Sequence, residues 1–143
     1  MKRRNIVTAL SAIAVVVGSV VVASPASALT CSSGSACSWG DSQYKTAGGE
    51  GNQVAFRYYI PNYSGWTYNG NGNANDSASS VYNNGNTDTV YWYDDSSART
   101  YAFRMATKNG DQNLNDALGT APAGHNDKLS SGYFTSCLSG SAC

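Results

Sequence analysis

The sequence predicts an all-β domain. Three observations carry that prediction. Ten tyrosines and three tryptophans sit among Gly, Asn, Ser and Thr. Helix formers are scarce, with Glu50 the only glutamate. Short apolar or aromatic runs recur between Gly/Asn clusters. Aromatic residues suit a pleated, half-buried surface, and Gly/Asn clusters supply the positive-φ positions that hairpins and turns need.

The first segment, 1–28, is read as a secretory signal peptide and excluded from the fold. Lys2, Arg3 and Arg4 form a basic start, an apolar stretch follows, and Ala26-Ser27-Ala28 supplies a small-residue cleavage site. The apolar stretch falls short of the ~20 residues that span a bilayer. Residues 29–143 then form a single domain, large enough to bury a modest core. Three of the nine basic residues leave with the signal segment, so six face nine acidic ones, a net charge of −3. No Lys/Arg cluster remains, which argues against nucleic acid as a partner. No later segment reads as a membrane span, and the chain is expected to be a secreted monomer.

Strands are expected at 36–39, 54–60, 80–82, 89–93, 101–106 and 132–135. The run Thr89-Val90-Tyr91-Trp92-Tyr93 alternates imperfectly, which suits a strand buried on both faces. One short helical turn is expected at 112–118.

The cysteines occur as Cys31-Ser-Ser-Gly-Ser-Ala-Cys37 and Cys137-Leu-Ser-Gly-Ser-Ala-Cys143. Four cysteines allow three pairings. Two local loops, Cys31–Cys37 and Cys137–Cys143, are the simplest; crossed pairing would close a longer loop and stabilise more. Zinc is disfavoured by the spacing and by the export signal.

A six-residue pattern occurs twice, 51 residues apart: Asn75-Asp76-Ser77-Ala78-Ser79-Ser80 and Asn126-Asp127-Lys128-Leu129-Ser130-Ser131. Each copy offers two Asx oxygens and two hydroxyls within a tight turn. These are hard oxygen donors suited to Ca²⁺, and the same residues also cap turns by bonding local backbone with no metal at all. The repeat implies two copies of one supersecondary unit. Trp39-Gly40-Asp41 stands before the first copy much as Trp92-Tyr93-Asp94 stands before the second. Four strands per half give a β-sandwich of two Greek-key motifs.

At these residues the chain resembles the βγ-crystallin superfamily, in particular its secreted bacterial branch, peptidase inhibitor family I36. The resemblance rests on Cys31-Ser-Ser-Gly34-Ser-Ala-Cys37-Ser-Trp39, on the acidic and aromatic turn from Asp41 to Tyr44, and on the paired Asn-Asp-x-x-Ser-Ser motifs. It implies two Ca²⁺ sites, each built from both motifs. Ser77 and Lys128 would give main-chain carbonyls, Ser79 and Ser130 hydroxyls that cross to the partner loop, and Asn75, Asp76, Asn126 and Asp127 further oxygens. With few carboxylates per site, an affinity of about 10⁻⁵ to 10⁻³ M is expected. The resemblance also implies a secreted inhibitor that blocks an extracellular protease, specifically a metalloprotease, through a surface loop. The second half departs from the pattern, having Ser96-Ser97-Ala98-Arg99-Thr100 where an aromatic-and-glycine hairpin is expected.

Two other functions compete: a Ca²⁺-binding structural or cell-surface module without a protease target, and a carbohydrate-binding or antifungal protein using Trp66 and Tyr68. Those two aromatics lie in a Gly-rich stretch and suit either a sugar ring or a protein groove. No catalytic residue is assigned. His125 is the only histidine and cannot supply the paired imidazoles common in catalytic zinc sites.

Overall fold

The computed structural model describes residues 30–46, 52–68, 73–138 and 143; the segment read as a signal peptide lies outside them. The strands are β1 (Ala36–Trp39), β2 (Val54–Phe56), β3 (Tyr59–Ile60), β4 (Ser80–Asn83), β5 (Val90–Tyr93), β6 (Tyr101–Met105), β7 (Asn109–Asp111) and β8 (Ser131–Phe134), followed by a one-turn helix, α1 (Thr135–Leu138). They form two four-stranded sheets, ordered β2-β1-β4-β7 and β3-β8-β5-β6. All pairings are antiparallel. The fold class expected from the sequence, an all-β sandwich of two Greek keys, is the one observed.

The third strand of each half crosses over. β3 pairs with β8 of the second half, and β7 pairs with β4 of the first. Each sheet therefore takes three strands from one half and one from the other, and the halves are related by a pseudo-two-fold axis. Trp39 stands opposite Ser80, and Tyr93 stands opposite Ser131. The structural partner of Trp39 is thus Tyr93, one residue beyond the Trp92 that sequence alignment of the halves suggested. The β5–β8 register runs unbroken from Val90 to Tyr93; the one shift at this point lies in the β5–β6 pairing, where β6 carries an extra residue, Ala102.

Between the sheets lie Val54, Phe56, Ile60, Val81, Val90, Trp92, Phe103, Met105, Leu114, Leu129 and Phe134, all buried. Trp92 stands edge-on to Phe56 at 5.4 Å, and Phe56 meets Phe134 at 5.8 Å. Taking each such side chain out of water contributes about 1.5–3 kcal/mol. Asn83 is buried among them but satisfied: its Nδ2 donates to the carbonyls of Asp88 and Met105, and its Oδ1 accepts from Gly85 N. A second cluster of Cys31, Cys37, Trp39 and Tyr44 covers the outer face of the first sheet.

Three local expectations are corrected. The run 54–60 is not one strand but two, β2 and β3, in different sheets. Phe56 and Ile60 both reach the core, so the chain turns at Arg57-Tyr58 to serve both layers. The segment 112–118 is not helical. Asn113 and Asp116 spend their side chains on local backbone, accepting from Asn115 N and Leu118 N, which competes with helical bonding. β7 was missed because Asn109-Gly110-Asp111 carries no apolar signal.

Both disulfides are local: Cys31–Cys37 and Cys137–Cys143. Such bonds persist in oxidising compartments. Among the described residues no helix is long and apolar enough to cross a membrane.

Candidate functional site

The two Asn-Asp-x-x-Ser-Ser loops meet at one end of the sandwich. Asp76 and Asp127, the second residue of each motif, both adopt left-handed backbone, φ 53° and 55°. Asx residues tolerate that conformation better than most. Each aspartate carboxylate is held by the preceding asparagine, with Asn75 Nδ2 donating to Asp76 Oδ2 at 2.7 Å and Asn126 Nδ2 to Asp127 Oδ2 at 2.6 Å. The loops also exchange backbone bonds. Asp76 N donates to Leu129 O at 3.2 Å, and Asp127 N donates to Ala78 O at 3.0 Å.

The fifth residues tie the loops to the strands. Ser79 N donates to Trp39 O and Ser130 N to Tyr93 O, while their carbonyls accept from Leu114 N and Tyr63 N. The sixth residues, Ser80 and Ser131, were not singled out from sequence, yet they pin the two hairpins. Ser80 Oγ donates to Asp41 O and accepts from Tyr44 N. Ser131 Oγ donates to Asp95 O and accepts from Ala98 N. Their signal was present in the motif itself, as a second serine in both copies.

The side-chain donors are not symmetric. Ser130 Oγ crosses to the partner loop and donates to Asp76 Oδ1 at 2.9 Å, lying 3.5 Å from Lys128 O. The Ser79 hydroxyl makes no equivalent bond to Asp127 among the described residues. Ser77 Oγ is engaged locally with Asn73 O, and the Lys128 side chain is exposed. Asp76, Ser130 and Lys128 O thus converge, whereas among the described residues no hydroxyl crosses to Asp127. The donor set is all oxygen, with one carboxylate per loop. Among the described residues no three His, Cys, Asp or Glu side chains cluster. Such chemistry suits a hard, weakly held cation of the Ca²⁺ type rather than a transition metal.

Trp66 and Tyr68 do not share a platform. Trp66 is 46% exposed, while Tyr68 packs against the core. The Tyr68 hydroxyl meets Ser38 Oγ at 3.1 Å, and Ser38 Oγ donates to the Tyr63 hydroxyl. Burial pushes the Tyr68 phenol well up, the Ser38 bond opposes that, and the Asp127 charge adds to it. Tyr68 is therefore held against the core by Ser38 rather than presented on an exposed ligand face. His125 sits against Asp94, Nδ1 lying 3.1 Å from both carboxylate oxygens, and packs on Phe103.

No protein-family model matches the chain, and no curated protein sequence does. Solved structures do match its fold. A βγ-crystallin from Ciona intestinalis is 18% identical with a TM-score of 0.50, covering 71% of this chain and 100% of its own. A structure described as "Evolution of the eye lens beta-gamma-crystallin domain fold" is 14% identical with a TM-score of 0.54, covering 73% and 87%. The architecture is that of the βγ-crystallin domain; membership of the I36 inhibitor family is not supported by these comparisons.

Proposed function

We propose that this chain is a secreted, non-catalytic βγ-crystallin-type module whose paired loops bind Ca²⁺ and are stiffened by it. The observation that carries the reading is the crossing of Ser130 Oγ to Asp76 Oδ1. A hydroxyl from one motif already stands beside the carboxylate of the other, as an ion shared between loops requires. The donors from this chain are the Asp76 and Asp127 carboxylates, the Ser77 and Lys128 carbonyls and the Ser79 and Ser130 hydroxyls. Bound ion would replace the Ser130–Asp76 hydrogen bond with oxygen–cation contacts and neutralise the facing carboxylate.

Thermal unfolding in EDTA and then in millimolar Ca²⁺ tests this. A ligand of the folded state at one hundred times Kd adds about 2.7 kcal/mol, and the rise should vanish in Asp76→Asn/Ser130→Ala. An unchanged melting temperature would leave the motifs as hydrogen-bonded corners and end the proposal.

A second reading, inhibition of an extracellular metalloprotease, is favoured by one observation. Trp66 is exposed beside a hydrogen-bonded turn: Asn62 Oδ1 accepts from Ser64 N, and Trp66 O accepts from Ala74 N. A pre-ordered loop binds without a large ordering cost. Inhibition of a thermolysin-like protease that disappears in Trp66→Ala would support it; full protease activity at saturating protein would not.

A further inference from the structure

A cleft of about 570 Å³ opens beside the first sheet, with no residue of the paired motifs in its lining, within the ~300–1,000 Å³ usual for small-molecule sites. Hairpin residues Gln43 and Tyr44, the Tyr82 ring, edge strand β7 and the loop 112–119 line it.

The cleft is organised by a buried carboxylate. Asp111 is 2% exposed. Its Oδ1 accepts from Asn113 N at 2.9 Å and its Oδ2 from Ala121 N at 2.8 Å. Gly119 lies so close that any Cβ there would collide with the carboxylate. The pseudo-two-fold equivalent of Asp111 is Ile60, judged by their pairing opposite Val81 and Gly132. The fold itself is therefore content with an apolar residue at that place. A buried carboxylate costs free energy that only its hydrogen bonds offset, and what these bonds secure is the wrap of residues 112–121 around the cleft.

The charges lining the cleft are already engaged. Both Asp111 oxygens are taken, Asp116 accepts from Asn113 Nδ2 and Leu118 N, and Lys108 Nζ donates to Asn84 O and Oδ1. An anionic ligand would face two carboxylates, and a cationic one would find Asp111 buried and Asp116 already bonded to Asn113 and Leu118. What remains is neutral. The Tyr44 hydroxyl and the Gln43 and Gln112 amides have no side-chain hydrogen-bond partner among the described residues, and Tyr82 offers an aromatic ring. Burial, with the Asp111 charge, pushes the Tyr44 phenol up to about 12, so at neutral pH it is a proton donor. We propose that this cleft binds a neutral oligosaccharide, one ring packed on Tyr82 and its hydroxyls bonded to Tyr44, Gln43 and Gln112.

The test is calorimetric titration of the disulfide-bonded protein with cellohexaose, chitohexaose, mannohexaose and xylohexaose. EDTA is present throughout, so that the result is independent of Ca²⁺. Saturable binding to at least one is expected, weakened tenfold or more in Tyr82→Ala and in Gln112→Ala and unchanged in Trp66→Ala. Gln112 is exposed, so its variant keeps the test valid if Tyr82→Ala unfolds. Binding that ignores Gln112→Ala, binding lost in Trp66→Ala, or no binding to any of the four sugars would each overturn the proposal.

Discussion

The two halves solve one packing problem with different residues. In the first, Tyr44 folds from the hairpin onto the outer face, 5.3 Å from Trp39 and 5.9 Å from Tyr82. Its hydroxyl lies over Gly110, where a side chain would not fit. In the second, the hairpin position is Ala98, with the same left-handed backbone and the same N–H bond to the sixth motif serine. The strand position equivalent to Gly110 is Tyr59, which stacks on Tyr133 at 5.6 Å. One face takes its ring from the hairpin and leaves the strand bare; the other does the reverse. The fold thus demands an aromatic cover and a serine pin on each face, and is indifferent to which element brings the ring.

The comparison breaks or holds on truncation. Tyr44→Ala, removing a buried ring, should cost about 3–5 kcal/mol, in the range of large aromatic-to-alanine changes. Tyr59 is 49% exposed, so Tyr59→Ala should lose little beyond its stack, about 1 kcal/mol. Urea denaturation of both variants decides, and equal costs would mean the two covers are equivalent after all.

The disulfides sharpen it further. Cys31 and Cys37 are buried beside Trp39 and Tyr44, and the second-half equivalent of Cys37 is Tyr91. Replacing both cysteines by alanine should cost about 2–3 kcal/mol. Opening Cys137–Cys143, which lies beyond β8 and ends in an exposed residue, should cost roughly 1 kcal/mol or less. The serine pins should behave alike, because both make the same pair of bonds. Ser80→Ala and Ser131→Ala should each lose about 1–2 kcal/mol, read as shifts in the urea midpoint at constant slope. A clear inequality would show that the hairpins are not held equivalently.

What the sequence made legible was whatever repeats. The paired motifs and the aromatic runs announce two Greek keys, and they place Asp76, Asp127 and Ser130 on facing loops. What it hid were features that depend on the partner half. The break at Arg57-Tyr58 is invisible because Val54-Ala55-Phe56 and Tyr59-Ile60 read as one apolar run, though they feed opposite sheets. β7 looks like a turn because its strand character comes only from pairing with β4. The substitution of Tyr59 for the absent hairpin aromatic cannot be seen without the crossover that brings β3 beside β8. The packing of Tyr68 into the core was likewise hidden by its Gly-rich neighbours, since its anchor is Ser38, far away in sequence.

The smallest effect is the most specific to one half. A phenol titrates near 10 when unfolded, and Tyr44 is pushed up to about 12 in the fold by burial, then by the Asp111 and Tyr82 neighbours. The folded state holds that proton more tightly than the unfolded one. Its stabilising contribution is therefore complete below about pH 10 and is lost as pH rises between 10 and 12. Tyr63, Tyr68, Tyr93 and Tyr133 are also shifted upward, burial being the first cause in each, so the whole protein should weaken over alkaline pH, with Tyr44 one contributor among five. Tyr44→Phe keeps the ring over Gly110 and removes only the titration. Urea midpoints measured from pH 9 to 12 should fall less steeply in Tyr44→Phe than in the parent chain. If Tyr44→Phe loses stability as steeply as the parent chain, the fold holds the Tyr44 proton no more tightly than the unfolded chain does, and the asymmetry of the two faces is only one of sequence.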